Sequence, residues 1–435
     1  MSKPKVSVVM PTFNRASYIK SAIDSLLSQT YCNFEIIIVD DASTDNTEEI
    51  VLSYKDNRIV YIKNSTNNGV AYTRNVGYKV ASGEYIAIAD SDDSNHVDRL
   101  KKMVFFLEEN PNVDVVVTDY QIIDKNGDFG NVVEFRKNNS EFRANLIFQP
   151  GLPSFMMFRK KAFEGKSELY HDETFKAAVD YQWYSSIGDN VEIGVIPEVL
   201  YYYRRHTNQI STKGYIVQQK YADIIRKKLI NKLGIEPSPL EMHLHSSISQ
   251  QKFTSFNVDI YLQCIKWLTK LSDANYKSKI FKKNIFDAVL TNQLVNLLEY
   301  QGYFCENLYN IFLNSRFGKI EHLYSNPILF NRLRERVEPF TKDIYIFGAK
   351  KAAYSAGKML FEMNKDFKGF IDNNKEIVGN TLLGKNIDSI GNLTNINNKY
   401  FIISVLSKSR NDISEQLIKN YKVPKKNIII LADLF

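Results

Sequence analysis

Cysteine is scarce in this sequence, with three in 435 residues at Cys32, Cys264 and Cys305. Their wide separation excludes a disulfide framework and the spacings of zinc sites, and predicts reduced, partly buried packing residues. Long apolar runs are missing as well. No stretch approaches the ~20 residues that span a bilayer, and the opening "MSKPKVSVVMPTFNR" has neither the apolar segment nor the small-residue cleavage site of a secretory signal. A cytoplasmic location is the expectation. An excess of one charge is also lacking: 56 Lys+Arg stand against 49 Asp+Glu, a net +7. That balance is too small to imply nucleic acid, while it permits an anionic ligand or a peripheral contact with a membrane surface. The densest basic patches, "KSKIFKKN" (277–284) and "RLRER" (332–336), read first as solvated helix faces and second as such a contact.

What is present is apolar material in ordered alternation. At 44% hydrophobic, the chain is long enough for two or three domains. From Val6 it reads "VSVVMP", "YIKSAIDSLLSQ", "FEIIIVDDAS", "TDNTEEIVLSYK" and "IVYIKN". β-branched runs alternating with helical periodicity predict βαβ units and a mainly parallel sheet. "VAYTRNVGYKVASG" predicts a helix capped by Gly83, followed by the strand "EYIAIA". Further strands and one helix, "DYQWYSSIG", fall within 113–212. Helical periodicity then dominates to about 338, and strands return at Asp343 with "DIYIFGAKKAAYSAGKMLFEM" and "FKGFIDNN". The expected architecture is α/β in three parts: a nucleotide-binding type of domain at 1–213, a helical linker or packing domain at 214–340, and a small Rossmann-like α/β domain at 341–435.

The stretch 86–99, "IAIADSDDSNHVDR", gathers Asp90, Asp92, Asp93 and Asp98 at a strand end. Crowded carboxylates repel and raise one another's pKa, so a cation or a hydrogen-bond network has to compensate. Ligands of open α/β sheets bind at the carboxyl ends of strands, where both "VDDAS" and "ADSDD" lie. Two acidic strand ends from one sheet are therefore expected at one site.

Taken in order, "VSVVMPTFNR", "SLLSQT", "IIIVDDASTDNT" and "NNGVAYTRNVGYKVASGEYIAIADSDD" resemble the N-terminal half of the family 2 glycosyltransferases, enzymes of the GT-A fold, over some ninety residues. The resemblance implies a nucleotide-sugar donor, a divalent cation and inversion at the anomeric carbon. Asp92 matches the second acid of the family's Asp-x-Asp motif, the usual metal ligand. Asp90 matches the first, which faces the ribose or reaches the metal through water. Mn²⁺ and Mg²⁺ both suit such oxygen ligands. Asp93 and Asp98 read as loop and helix-start residues. Asp41 matches the acid that accepts from the base N–H of uracil nucleotides, pointing to a UDP-sugar, and Asp40 ties the loop down. Pro11, Thr12 and Phe13 match the turn that lines the base pocket. Arg74 is either a nucleotide contact or a surface ion-pair partner.

Inversion by direct displacement needs a base for the acceptor hydroxyl. "AAVDYQWYSSIG" resembles the family segment in which an acid opening a helix is that base. The usual Glu-Asp is Val179-Asp180 here, so Asp180 alone carries the role; a helix N-cap, worth ~1 kcal/mol, is its alternative. "YYYRRHTNQIS" resembles the end of the catalytic core, where His206 binds metal or diphosphate and Arg204 or Arg205 neutralises phosphate. Residues 151–160, "GLPSFMMFRK", fall where such enzymes shape the acceptor pocket, or are core.

The C-terminal "IYIFGAKKAAYSAG", then "GFIDNN" ending in Asp372, resembles a degraded dinucleotide fingerprint: Lys350 and Lys351 stand where glycine lets a pyrophosphate approach. A structural or homo-oligomerising role is favoured there over ligand binding. The resulting expectation is a hexosyl- or N-acetylhexosaminyl-transferase acting on a glycan or lipid-linked acceptor in surface polysaccharide (capsule) synthesis. With no membrane span and no "QxxRW" motif of the processive synthases, single-sugar addition is expected rather than polymerisation. The rivals are a non-catalytic nucleotide- or glycan-binding protein on the same fold, and a bifunctional protein whose C-terminal part binds a dinucleotide.

Overall fold

The structure, a computed structural model, describes residues 4–135, 139–163, 170–187, 191–207, 209, 214–298, 308, 311–312, 314–318, 334–340, 343–348, 353, 356–357, 359–360, 363, 365–404 and 409–430. The chain divides into two compact units, one of residues 1–242 with 278–285 and one of 243–277 with 286–435.

The first unit begins as the apolar alternation dictates. Strand β1 (Val6–Thr12) leads through α1 (Ile19–Leu27) to β2 (Phe34–Asp40), α2 (Thr47–Ser53), β3 (Ile59–Lys63), α3 (Val70–Val80) and β4 (Tyr85–Ile88). In α1 the buried positions Ile19, Ala22, Ile23 and Leu26 follow helical spacing, which lays one apolar stripe on the sheet. β1 pairs in parallel with β2 on one side and β4 on the other. The chain leaving β1 and the chain leaving β4 therefore diverge at a topological switch point, where a crevice opens at the strand ends.

After β5 (Ser94–Asn95) and α4 (Arg99–Glu109) come β6 (Val115–Ile123), β7 (Phe129–Val133), α5 (Asn139–Asn145), β8 (Met157–Arg159), α6 (Val179–Ser186) and β9 (Ile193–Arg204). The sheet runs β3-β2-β1-β4-β8-β6-β9-β5, with β7 on β6. It is mixed: β8 is antiparallel to β4 and β6, and β5 to β9. This is the GT-A arrangement expected. The helix Tyr215–Lys232 falls with this unit, where buried Arg226 donates from Nε to the Phe148 carbonyl at 2.9 Å.

Gly83 is not the helix cap that the sequence predicts. α3 ends at Val80 with Ala81 at its C-cap, and Gly83 is absent from the left-handed glycines. Its N–H donates to Ser7 Oγ at 2.8 Å, and a Cβ there would lie 2.6 Å from the Ser7 backbone nitrogen. Close approach to β1, rather than backbone angle, demands glycine. Gly83→Ala is expected to destabilise by about 1–3 kcal/mol, read as a lowered melting temperature.

The second unit holds the helices Val258–Ser278, outside its last residue, and Lys283–Leu297, from Phe286 on. A sheet follows from β10 (Ile344–Phe347), β11 (Gly369–Ile371), β12 (Thr381–Leu382), β13 (Lys385–Asp388), β14 (Tyr400–Ile403) and β15 (Ile428–Ile430), ordered β12-β13-β11-β10-β14-β15. All but β12 run parallel, giving the doubly wound order. Gly348, at φ 104°, makes the turn after β10, and Asp372 follows β11, where its Oδ1 accepts from the Asn374 N–H. Lys350, Lys351, Arg332 and Cys305 lie outside the described residues. Of the other cysteines, both free, Cys264 is buried and Cys32 is exposed, which corrects the expectation of partial burial for Cys32. Among the described residues no helix is long and apolar enough to cross a membrane.

Candidate active site

The site forms where the loops after β1, β2 and β4 meet α3, α6 and the end of β9. Polar residues stitch the first two loops together. Asn14, left-handed at φ 52°, donates its N–H to Ser43 Oγ at 2.9 Å, and its Oδ1 accepts from the Thr44 N–H at 2.8 Å. The Arg15 N–H reaches Thr47 Oγ1 at 2.8 Å. Pro11 and Thr12 are buried at the end of β1, Phe13 is 38% exposed, and Thr12 Oγ1 is buried without a partner among the described residues.

The two acids of "VDDAS" have different surroundings. Buried Asp40 accepts from the Ser43 N–H and from the Tyr61 hydroxyl, both at 2.7 Å, and so ties the loop down as expected. Asp41 accepts from Asn64 Nδ2 at 2.8 Å, from the Asn68 N–H at 3.0 and 3.1 Å, and from the Gly69 N–H at 2.7 Å. Each oxygen thus accepts two contacts, the Asn68 N–H being shared between them, and the carboxylate is 4% exposed.

The acidic turn after β4 is separated in the same way. Asp90 accepts from Arg74 Nη2 at 3.1 Å on one oxygen and from Ser154 Oγ at 3.0 Å on the other, and its N–H donates to the Tyr201 hydroxyl at 3.0 Å. Burial pushes its pKa up, with Arg74 opposing and Asp92 adding to the rise. Arg74 Nη1 also donates to Asp180 Oδ1, so a guanidinium 3% exposed holds two carboxylates at once. Burial pulls its pKa down, but Asp180 and Asp90 outweigh that and the guanidinium stays charged. Arg74 is thus an ion-pair partner, though in the interior and not on the surface. Asp180 is the second residue of α6, whose N-cap is Ala178 at φ 55°, so the capping alternative falls. Its side chain is 35% exposed, and its second oxygen has no partner among the described residues.

Asp92 Oδ2 lies 3.0 Å from His206 Nε2 and 3.0 Å from Arg15 Nε. Asp92 Oδ2 and His206 Nε2 are atom types that ligate a divalent cation, and at 3.0 Å they are at hydrogen-bond distance from each other. Among the described residues no three His, Cys, Asp or Glu converge on a metal. The remaining positions would therefore fall to diphosphate oxygens and water, as is usual for a cation bound with a nucleotide. The Tyr18 ring packs 4.5 Å from that of His206.

Arg204 does other work than its sequence position suggests. Its Nε donates to the Asp92 carbonyl at 2.9 Å and its Nη1 to the Asp124 carbonyl at 3.1 Å, while its N–H donates to Asp93 Oδ1 at 2.7 Å. It is 6% exposed, and its Nε and Nη1 clamp the acidic turn rather than standing free for phosphate. Asp93 is 1% exposed, and burial, then Asp92 and Asp90, raises its pKa well above the usual carboxylate range. A folded-state pKa above the unfolded one means stability falls as pH rises from about 4 through the folded value. Asp93→Asn keeps an oxygen for the Arg204 N–H, so its melting temperature is expected to drop less than that of the parent between pH 5 and 8. Asp98 lies at the N-cap of α4 without capping it; its Oδ1 accepts from Thr30 Oγ1 at 2.7 Å.

Sequence reasoning missed Arg15 and Arg99. Arg99 is fully buried, donates to Asn95 Oδ1 at 2.6 Å and to the Ile88 carbonyl at 2.8 Å, and lies 4.9 Å from the centre of the Tyr201 ring. Burial pulls its pKa down to about 10. Its signal was an arginine on the stripe shared by Leu100, Met103 and Leu107; that of Arg15 was a cation directly after the β1 turn. Ser154 is the part of 151–160 that touches the site, while Phe155 to Phe158 are core.

A mixed sheet with a crevice at its switch point thus brings an acidic turn, a histidine and the Arg74-held Asp180 carboxylate to one site. The profile of the family described as Glycosyl transferase family 2 matches residues 7–165. An uncharacterized glycosyltransferase of Methanocaldococcus jannaschii is 36% identical over 214 residues, 47% of this chain and 72% of that protein. Another, from Haemophilus influenzae, is 30% identical over 316 residues, 65% of this chain and 97% of that protein. The Escherichia coli UDP-Glc:alpha-D-GlcNAc-diphosphoundecaprenol beta-1,3-glucosyltransferase WfgD is 38% identical over 132 residues, 30% of this chain and 52% of that protein. The chain belongs to glycosyl transferase family 2, and it is a glycosyltransferase.

Proposed function

We propose that this enzyme moves a hexosyl or N-acetylhexosaminyl group from a UDP-sugar to a hydroxyl of a glycan or lipid-linked acceptor, with inversion and with Mn²⁺ or Mg²⁺, in the synthesis of a surface polysaccharide. The observation that carries it is the pair Asp92 Oδ2 and His206 Nε2, 3.0 Å apart beside Arg74-held Asp180. The buried Thr12 hydroxyl, without a partner among the described residues, suits a polar edge of a uracil base at the end of β1 beside Asp41. The donor and acceptor in the name of WfgD, UDP-Glc and a diphosphoundecaprenol-linked sugar, favour the same chemistry on a lipid-linked acceptor.

In the reaction, Arg74 fixes one oxygen of Asp180. The other oxygen accepts the proton of the acceptor hydroxyl as that oxygen attacks the anomeric carbon and UDP departs from the opposite face. A bound cation on Asp92 and His206 would supply charge neutralisation for the departing diphosphate. A thermal-shift screen of nucleotide-sugars with Mn²⁺ tests the reading. At a ligand concentration near 100 times Kd, binding should stabilise by about 2.7 kcal/mol, a clear rise in melting temperature. Asp92→Asn is expected to lose the Mn²⁺-dependent part of that rise, and no shift with any UDP-sugar would overturn the donor assignment.

A further inference from the structure

The Asp92 oxygen that faces His206 is already occupied by a cation of the chain itself. Arg15 Nε lies 3.0 Å from Asp92 Oδ2, and the side chains are 15% and 12% exposed, so the pair is poorly screened by water. The guanidinium does not swing freely: its Nη1 donates to the Phe13 and Asn14 carbonyls at 3.1 and 3.2 Å, and the Arg15 N–H is held by Thr47. Its Nη2 has no partner among the described residues. A fixed positive charge on the oxygen that a metal needs opposes a divalent cation arriving alone. A diphosphate arriving beside it would take the spare Nη2 donor and cancel that opposition.

We infer that Arg15 is the resident counter-cation of the metal site: it holds the Asp92 carboxylate while the site is empty and makes cation entry conditional on the donor's diphosphate. This rests on the metal and UDP-sugar reading above. Arg15 acts here through Asp92 and the nucleotide, as a positioning residue. It predicts that Mn²⁺ and UDP bind with positive coupling, each tightening the other by the same factor, typically on the order of 5- to 150-fold for such coupling. Removing the guanidinium should tighten Mn²⁺ alone and shrink the coupling. A residue that merely props Asp92 in place gives the opposite sign, because a loosened ligand weakens the metal.

The experiment measures free Mn²⁺ by electron paramagnetic resonance in titrations of the full chain, parent, Arg15→Gln and Arg15→Lys, with and without saturating UDP. Thermal melts establish that the variants are folded. The expected result is that nucleotide-free Arg15→Gln binds Mn²⁺ roughly tenfold more tightly than the parent, with UDP tightening it far less, while Arg15→Lys, which keeps the charge, stays near the parent. Should Arg15→Gln bind Mn²⁺ as the parent does or more weakly, with the coupling intact, the inference is overturned and the functional reading stands. If the parent binds neither Mn²⁺ nor UDP, both are overturned.

Discussion

Asp180→Asn is expected to slow sugar transfer by about 10²- to 10⁴-fold, the usual worth of a positioned general base, while UDP affinity stays as it is. The expectation follows from the two different oxygens of Asp180. One is held by Arg74; the other has no partner among the described residues, on a side chain 35% exposed at the start of α6. Asparagine preserves an oxygen for Arg74 and the shape of the site, but cannot take a proton. Asp180→Glu keeps a carboxylate displaced by one methylene, and should fall between. The check is initial rate against acceptor, with UDP binding measured separately by calorimetry. Full transfer activity in Asp180→Asn would take the base role away from Asp180 and assign it to a different group.

Arg74→Met should be the most damaging single change to the first unit. It leaves Asp90 and Asp180 without the cation between them, and among the described residues the Asp90 carboxylate then keeps Ser154 as its side-chain partner. Removing one partner of a buried ion pair costs about 3–5 kcal/mol, which at 2–4 °C per kcal/mol is a fall in melting temperature of roughly 10 °C. The sign of the pH dependence follows. Burial already raises the Asp90 pKa and Arg74 opposes the rise, so in Arg74→Met the folded-state pKa climbs further above the unfolded value. The stability that a protonated Asp90 retains is present below about pH 4 and lost as pH rises through the folded pKa. The variant should therefore be less impaired at pH 5 than at pH 8, and adding Asp90→Asn should restore part of the loss at pH 8. Activity should fall as far as in Asp180→Asn, with the two changes strongly non-additive because both act on one carboxylate.

Elements β1 to β4 with their helices were legible in the sequence because each carries a complete local signal: an apolar run rich in β-branched residues for a strand of the parallel part of the sheet, or a one-sided stripe for a helix. The acidic turn was legible for a second reason, since four carboxylates at one strand end demand compensation. Who compensates was not legible. Arg74 is 16 residues from Asp90 and 106 from Asp180, and Arg15 is 77 from Asp92. Such pairings are fixed by the order of strands in the sheet, which no local pattern encodes. The same limit explains Arg204. Its place after "YYYR" marks it as near the site, but only the register of β9 against β5 and β6 shows that its donors end on main-chain carbonyls. Gly83 fails for a related reason: the requirement comes from Ser7, a neighbour across the sheet edge, and glycine after a helix looks the same from sequence whether it caps or merely yields room.

Asp92 and His206 are the proposed ligands of the cation that meets the donor's diphosphate. An anomalous difference map from crystals grown with Mn²⁺ and UDP tests it most directly. The account predicts one strong manganese peak within bonding distance of Asp92 Oδ2 and His206 Nε2, about 2.1 to 2.2 Å, touching the diphosphate. UDP bound at the end of β1 with no peak between those two side chains would contradict it.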